Sequence, residues 1–392
     1  MTGKRTYLAM GAFAMAGNTP LVVQPMVVGA MVDHLGLSER QAGLVASLEL
    51  TGLTLGILCL LGVMNRVPRP IMGLLAIAII VIANVLSCFA TDFNSIVPLR
   101  ILSGFGAAAA FCVYLSLAAA TAVPERVFAI VNAISIAYSG VLTLLAPRLL
   151  QLGGLPALLL TLSFITVLAL ATLPLTRSGG APLARPGERL AIRSIPRPVL
   201  VLLTMMLMLY IGHGAIWAYQ ERIGVAAGLS EHAVGKWIGL SMLVWGVGGS
   251  LLARILDLSI GRVWPQLLSL GASCVAVLLL VFGSSPLAFG SSCGLIALSW
   301  FYGLPYQMGL LAARDAQGRA ALAGVMMSTA GMAIGPGVAA LLLTGQGHWP
   351  IGAFAGVCYL IALAIAVPAA QSADSAPMSP LSAAPLRTGE SI

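Results

Sequence analysis

The chain has 392 residues, of which 59% are hydrophobic and 8% charged, and its formal net charge is +8. A soluble protein would carry about a quarter charged residues, so this composition excludes a soluble globular domain and predicts a protein surrounded by lipid. Because lipid cannot hydrogen-bond the backbone, long apolar runs without two-residue alternation predict helices and an all-α fold.

Twelve apolar runs are each long enough to cross a bilayer, which takes about 20 residues in a helix. The predicted spans are 7–32, 40–64, 71–91, 96–119, 127–147, 155–174, 198–221, 232–253, 263–283, 287–312, 320–345 and 349–369. They form two six-helix bundles, at 1–174 and 198–370, separated by a linker at 175–197 that is rich in arginine, proline and glycine. The segment 371–392 has little apolar content and is predicted to be a disordered tail.

Most of the lysines and arginines lie in alternate gaps between the predicted spans. Cytoplasmic loops retain such an excess, so both termini and the linker are expected on the cytoplasmic side of a bacterial inner membrane. The net positive charge then needs no nucleic-acid partner. The first span follows a short basic start but is too long and too polar in its middle for a cleaved signal peptide.

Polar residues and prolines interrupt two of the predicted spans. Asn18, Thr19 and Pro20 lie in the first span, followed by Gln24, and the sequence 303–305 in the tenth span contains a glycine and a proline. Interrupted helices near the bilayer midplane are where transporters expose backbone groups to their substrates. At both places a simple packing kink is the alternative.

Charges inside the predicted spans are costly and seldom persist without a use or a partner, and two of them, Glu49 and Arg100, are singled out, with Arg100 nearer the outer boundary. Glu49 is about 14 Å into the second span at 1.5 Å per residue. It is interpreted either as a proton carrier or as a carboxylate whose hydrogen bonds are made by a serine or a backbone group between packed helices. Arg100 in the fourth span is interpreted as its functional partner, with snorkelling to water as the alternative. Asp33 and Glu221 lie at the outer ends of the first and seventh spans and are predicted to be charges at the membrane surface, at the rim of the protein.

The seventh span has polar and aromatic side chains at intervals of three and four residues, which places them on one helix face. They include Tyr210, His213, Trp217 and Gln220. This face is predicted to line a cavity. Two alternatives remain: His213 can be a helix-helix hydrogen-bonding residue, and Trp217 with Tyr219 can be part of an interfacial aromatic belt.

The fourth span contains Arg100-x-x-x-Gly104-x-Gly106-Ala107. This sequence resembles the R-x-x-x-G-x-G-A signature of the major facilitator superfamily, and the twelve-span pattern extends the resemblance over the whole chain. The resemblance implies two pseudo-symmetric six-helix bundles that expose a midplane site alternately to the two sides of the membrane. In family members the motif arginine is linked to proton coupling, which implies that role for Arg100 together with Glu49.

The loops after the second and eighth spans resemble the family's G-x-x-x-D-R-x-G-R signature. Asn65, Arg66 and Arg69 occupy the first loop, and Asp257 and Arg262 occupy the second. The resemblance implies a cytoplasmic gate at these residues. Asn65 stands where the family has an aspartate, whereas Asp257 retains that carboxylate.

In the family, the first, fourth, seventh and tenth helices line the central cavity. The lining that this implies here comprises Asn18, Thr19, Gln24, Phe111, Tyr114, Tyr210, His213, Trp217, Trp300, Tyr306 and Gln307. An aromatic and amide-rich lining suits a small organic solute with an aromatic or amphipathic body, including a carboxylate attracted by Arg100. The expected function is secondary active transport of such a solute. The sequence has no ATP-binding motif, so an electrochemical gradient is the expected source of energy, and Glu49 with Arg100 is the pair expected to couple transport to protons.

Two other functions remain open at this stage. A lipid or lysolipid translocator would open its cavity sideways, and a membrane receptor or assembly subunit would keep the fold but move nothing. The sequence has no nucleophile-base pair or metal cluster at mid-depth, so neither an enzyme nor a cofactor is expected. The G-x-x-x-G pairs let helices approach within one bundle, so a monomer surrounded by membrane lipids is expected.

Overall fold

The structure is a computed structural model that describes residues 4–374 apart from 62, 64–65, 122–123, 178–195, 257–260, 284, 313, 315–318, 344 and 346. The α-helices in this part of the chain are α1 Lys4–Gly17, α2 Thr19–Val22, α3 Gln24–Leu35, α4 Glu39–Leu61, α5 Arg69–Ser87, α6 Phe93–Ala119, α7 Pro124–Leu168, α8 Arg197–Ala226, α9 Glu231–Ser241, α10 Val247–Leu256, α11 Val263–Phe282, α12 Pro286–Ala312, α13 Arg319–Leu342 and α14 Trp349–Asp374. A 3₁₀ helix, Ala169–Thr176, continues α7, and a π-helical turn, Met242–Gly246, joins α9 to α10. The predicted all-α class is confirmed.

Ten helical segments of the described chain are long and apolar enough to cross a membrane. One of them, α7, contains two crossings, because the backbone leaves the helical conformation at Gly153 and Gly154. Gly154 has φ 62°, a left-handed conformation that glycine adopts without the steric cost of a Cβ. With the segmented first span, the helices provide the twelve predicted crossings.

The first span is divided into the three helices α1, α2 and α3. Pro20 and Pro25 each lie in the first turn of a new helix, where the missing N–H of proline leaves no hydrogen bond unmade. The interruption predicted at 18–20 is therefore confirmed. The tenth span differs, because α12 continues through Pro305 and the predicted interruption at 303–305 is absent.

The boundaries of the linker and the tail shift slightly. Helical structure continues past the predicted end of the sixth span to Thr176, and α8 begins at Arg197. Most of the predicted linker, and residues 375–392 of the predicted tail, lie outside the described residues. The described start of the tail is helical, since α14 extends to Asp374.

Close helix approach depends on glycine in the fourth span. Gly104 on α6 faces α4 so closely that a Cβ there would overlap with the backbone carbonyl oxygen of Glu49. Backbone on the neighbouring helix cannot rotate away as a flexible side chain would. The first glycine of the R-x-x-x-G-x-G-A motif therefore holds α4 and α6 together and sets the distance between Glu49 and Arg100.

We expect Gly104→Ala to lower the stability of the protein by about 1–3 kcal/mol, because the added methyl group overpacks the α4–α6 contact. Thermal unfolding in detergent measures this effect. Gly11→Ala on α1 is the matched control, since a Cβ there meets nothing within 4 Å. Equal melting temperatures for the two variants would contradict the packing role of Gly104.

Candidate functional site

Arg100 and Glu49 form a buried ion pair between α6 and α4. Arg100 Nη1 lies 3.3 Å from Glu49 Oε1, and the two residues are only 3% and 5% exposed. Arg100 Nη2 also donates to Asn84 Oδ1 at 2.6 Å and to Ser87 Oγ at 3.1 Å, both from α5. Arg100 therefore does not snorkel to water, and the structure brings the two predicted residues into direct contact.

All these partners of Arg100 belong to the N-terminal half of the chain. Its guanidinium is shared among α4, α5 and α6, so an incoming carboxylate would have to displace Glu49. Asn84 and Ser87 were missed by the sequence analysis, although they are polar residues three apart on an apolar span. Arg100 Nε and Asn84 Nδ2 are buried and have no hydrogen-bond partner in the described part of the chain.

Aromatic rings surround His213 in the C-terminal half. Its ring centroid lies 5.8 Å from that of Tyr210, 5.5 Å from Trp300 and 5.2 Å from Tyr359. Trp300 also meets the ring of Trp217 edge-on at 6.2 Å. We call Tyr210, His213, Trp217, Trp300 and Tyr359 the aromatic cluster. The structure thus brings together four predicted lining residues, and α14 adds Tyr359, which was not predicted.

The polar atoms of the aromatic cluster are partly unpaired. His213 Nδ1 lies 3.0 Å from the carbonyl oxygen of Leu209, so the Nδ1–H tautomer donates there. His213 Nε2 and Tyr359 Oη have no partner among the described residues. Outside the cluster, the same holds for both amide atoms of Gln24 and for Gln220 Oε1. These buried atoms are positions at which a solute could form hydrogen bonds.

Two side chains of α8 connect the aromatic cluster to the N-terminal half. Trp217 Nε1 donates to the carbonyl oxygen of Leu21 at 2.9 Å, and Tyr219 Oη donates to that of Glu39 at 3.0 Å. Both aromatic side chains are at most 2% exposed. The aromatic-belt alternative for Trp217 and Tyr219 is therefore wrong, because they lie between helices.

Other predicted lining residues have contacts elsewhere. The rings of Phe111 and Tyr114 lie 5.6 Å apart in the apolar core of the N-terminal half. Tyr306 packs on Tyr302 at 5.3 Å, and its Oη donates to the carbonyl oxygen of Ala253 on α10. A cavity role for Phe111, Tyr114 and Tyr306 stays a prediction.

The remaining predicted lining residues are polar. Thr19 Oγ1 donates to the carbonyl oxygen of Met15, a turn earlier in the first span, and Asn18 beside it is half-buried. Gln307 is 1% exposed, and its Oε1 has no partner in the described residues. A cavity role for these three residues stays a prediction.

We call the side of the bundle at which α1 begins the terminal face and the opposite side the far face. At the far face, Arg222 donates to both carboxylate oxygens of Asp33, at 2.8 and 2.6 Å, and to both of Glu221. Nearby, His348 Nε2 lies 2.8 Å from Glu39 Oε2. Asp33 and Glu39 belong to the N-terminal half, so both contacts join the two halves.

Glu221 is 3% exposed, and the prediction that it is a rim charge is therefore wrong. Arg222 draws it into a buried network that the sequence analysis did not anticipate. Between described residues, the hydrogen bonds and ion pairs that join the halves all lie from mid-depth to the far face, including Ser47 Oγ to the carbonyl oxygen of Ala333 at 2.7 Å. In this structure the far face is closed.

A model of the Major Facilitator Superfamily matches residues 7–336. The chain belongs to the major facilitator superfamily. A search of curated proteins found no similar sequence. Membership in this family and the apolar helices make the protein an integral membrane protein, and they indicate a secondary transporter rather than an enzyme.

Solved structures share the fold of this family member. A D-xylose-proton symporter is 16% identical with a TM-score of 0.67, and the alignment covers 93% of this chain and 95% of that one. The nucleoside transporter NupG, solved in a mutant form, is 12% identical with a TM-score of 0.69, covering 94% and 98%. The predicted twelve-helix fold of the major facilitator superfamily is confirmed.

The predicted gate of this family member is described only in part. Asn65 and Asp257 lie outside the described residues. Arg66 is exposed and Arg262 half-buried at the start of α11. Arg69 Nε donates to Ser116 Oγ on α6 at 2.9 Å, which is a contact within the N-terminal half. The gating role of these residues stays a prediction.

Proposed function

We propose that the protein is a proton-coupled transporter of a small, uncharged organic solute with an aromatic body. The observation that carries the proposal is the combination of a buried carboxylate-guanidinium pair, Glu49 with Arg100, and a separate aromatic cluster around His213. The first can respond to a proton and the second can hold a ring.

Proton coupling follows from the isolation of Glu49. Deep in a membrane protein, a lone carboxylate beside one guanidinium changes the local charge by a full unit when it takes up a proton. Protonation weakens its attraction to Arg100, which retains Asn84 and Ser87 as partners. The two protonation states of Glu49 therefore favour different arrangements of α4 and α6. The name of the D-xylose-proton symporter is consistent with such coupling in this fold.

The solute class follows from the aromatic cluster. Its ring faces and edges suit an aromatic body, while His213 Nε2 and Tyr359 Oη offer buried polar atoms without partners among the described residues. An unpaired buried polar group costs about 1–3 kcal/mol, so a solute that pairs with these atoms gains that much. Because Glu49 occupies Arg100, we propose an uncharged solute in preference to a carboxylate. Nucleosides combine a ring with hydroxyl groups, and one structural neighbour is a nucleoside transporter.

The proposal predicts that nucleosides raise the melting temperature of the purified protein, since a ligand that binds only the folded form stabilises it. The binding variant is His213→Phe, which keeps a ring and removes Nε2. We expect it to weaken nucleoside binding by about 1–3 kcal/mol, which raises Kd between about fivefold and about 150-fold.

His232→Phe is the matched control, because His232 is exposed at the start of α9. Aromatic carboxylates and lysolipids are tested in parallel. Stabilisation by lysolipids alone would favour the lipid translocator, and equal binding by wild type and His213→Phe would contradict the assigned site.

A further inference from the structure

A pocket of about 310 Å³ opens at the far face. Its walls come from the end of α3 at His34, the end of α5 at Ser87 and Cys88, the following turn at Ala90 and Thr91, and the start of the second crossing of α7 at Pro156. All of these elements belong to the N-terminal half. We call this space the far-face pocket.

Ser87 separates the far-face pocket from the buried ion pair. Its side chain is part of the pocket wall, and its Oγ accepts a hydrogen bond from Arg100 Nη2 at 3.1 Å. Asn84, one helical turn deeper on α5, accepts from the same nitrogen at 2.6 Å. Arg100 Nη1 then contacts Glu49. The polar side chains of Ser87, Asn84 and Arg100 therefore lie between the pocket and Glu49.

Two polar groups in this layer remain without partners in the described residues. They are Asn84 Nδ2 and Arg100 Nε, and both are buried donors. Buried donors in proteins are nearly always paired, either with protein atoms or with ordered water. The far-face pocket, in which Ser87, Thr91 and His34 lie among apolar side chains, has room for several water molecules. Water that passes Ser87 from the far-face pocket would supply a partner for these donors.

The direct route from the far face to the centre is closed. Arg222 with Asp33 and His348 with Glu39 join the halves at this face, and Trp217 packs beneath them against Leu21. In this conformation a proton from the far face cannot enter between the halves without breaking these contacts. The far-face pocket bypasses them.

We propose that the far-face pocket is the aqueous entrance through which protons reach Glu49 from the far face. This inference rests on the proposed proton coupling. A hydronium ion at the mouth gives up a proton, water molecules relay it past Ser87 and Asn84, and an O–H bond forms on the Glu49 carboxylate. The titratable and charged groups that face the route are His34 at the mouth, Cys88 on the wall and Arg100 beside Glu49.

The native Cys88 provides a direct test of water in the pocket. All six cysteines of the chain are free thiols, so a variant that retains only Cys88 can be made by replacing the other five with alanine. Methanethiosulfonate reagents react with the thiolate, which forms where water reaches the sulfur. We expect a small cationic reagent, applied at the far face of reconstituted vesicles, to label Cys88. A variant that retains only Cys112, which is fully buried, should stay unlabelled.

A second position reports on the deeper part of the route. Asn84→Cys in the background without other cysteines places a thiol beyond Ser87, and we expect the same reagent to label it. Thr91→Trp puts a large ring at the mouth of the pocket and should abolish this labelling. Phe89→Trp is the matched control, since Phe89 is 77% exposed and is not part of the pocket wall. It should leave labelling unchanged.

The last measurement tests whether the far-face pocket is needed for proton-driven uptake of solute. In the otherwise unaltered protein, Thr91→Trp should slow solute uptake driven by an imposed pH gradient and leave solute exchange without a gradient intact. The proposed entrance would be contradicted if the reagent failed to label Cys88. It would also be contradicted if Asn84→Cys were still labelled when Thr91→Trp blocks the mouth of the pocket. A third result would contradict the entrance: proton-driven uptake that is abolished by Glu49→Gln but unchanged by Thr91→Trp. Retention of proton-driven uptake in Glu49→Gln would instead refute the proposed coupling and, with it, the role of the entrance in proton delivery.

Discussion

Glu49→Gln is expected to abolish proton-driven accumulation of solute while leaving solute exchange across the membrane intact. The amide has the shape of a protonated carboxyl group but cannot release or bind a proton at physiological pH, so the variant is fixed in the neutral state. The measurement compares uptake under an imposed pH gradient with exchange of labelled solute at equal pH in reconstituted vesicles. Glu231→Gln is the matched control, because Glu231 is exposed at the start of α9.

The same substitution has a predictable effect on stability. Removing one partner of a buried ion pair leaves the other charge uncompensated and costs about 3–5 kcal/mol. We therefore expect Glu49→Gln to melt at a lower temperature than wild type, and the double variant with Arg100→Met to recover most of that loss. Exchange activity shows that the single variant is folded. Full proton-driven uptake by Glu49→Gln would contradict the coupling role.

The second large effect is expected at the far face. Arg222→Gln removes the only cation that contacts Asp33 and Glu221 among the described residues, and it leaves two carboxylates from opposite halves near each other. Their repulsion should favour separation of the halves at this face. Asp33→Asn should have a smaller effect, because Arg222 then keeps Glu221 as its partner.

Opening is measured by the reactivity of Gln24→Cys in a background without other cysteines. Gln24 is 3% exposed on α3, below the contact between Asp33 and Arg222. We expect an impermeant thiol reagent at the far face to label Gln24→Cys in the variant that also carries Arg222→Gln. We expect no labelling of Gln24→Cys when Arg222 is intact. Lys236→Gln, an exposed far-face cation, is the control. A shift of about 1.4 kcal/mol changes the open population about tenfold, so a partial effect is also detectable. Unreactive Gln24→Cys in Arg222→Gln would show that this network does not close the far face.

The crossings were predictable because the length of an apolar run is set by the bilayer, and a chain of this composition has few other ways to satisfy its backbone. The broken first span was predictable from its prolines. Pro305 does not break α12, which packs closely against α11 at this point: a Cβ at Gly303 would overlap with the side chain of Ser269. Whether a proline kinks or interrupts a helix depends on its neighbours, which the sequence does not give.

The residues of the candidate site were predictable only where a charged or aromatic residue stood out from its apolar span. Glu49 and Arg100 stand out as charges in apolar spans, whereas Asn84 resembles any helix-packing amide until its partner is known. Tyr359 was missed because its helix is not one that lines the cavity in the family. Its contact has a small local cause, since Gly212, adjacent to His213, leaves room for the Tyr359 ring.

The predicted position of Glu221 was wrong for a related reason. Distance along a span gives depth in the membrane but says nothing of long-range partners. Asp33 is 189 residues from Arg222 in sequence, and their contact draws Glu221 into the protein interior. Such a pairing between halves depends on the conformational state, which a sequence pattern does not encode.

The break in the first span leaves two consecutive backbone acceptors with donors from opposite bundles. The carbonyl oxygen of Leu21 accepts from the Trp217 indole, whereas that of Val22 accepts from Ser139 Oγ on α7. When the bundles part, the indole withdraws from Leu21 while the hydroxyl bond within its own bundle is retained. The vacated oxygen then faces the opened, water-filled space, where a hydroxyl or amino group on the cargo can take the place of a water molecule as its donor. Cargo that carries such a donor is therefore expected to bind this conformation more tightly than cargo without one.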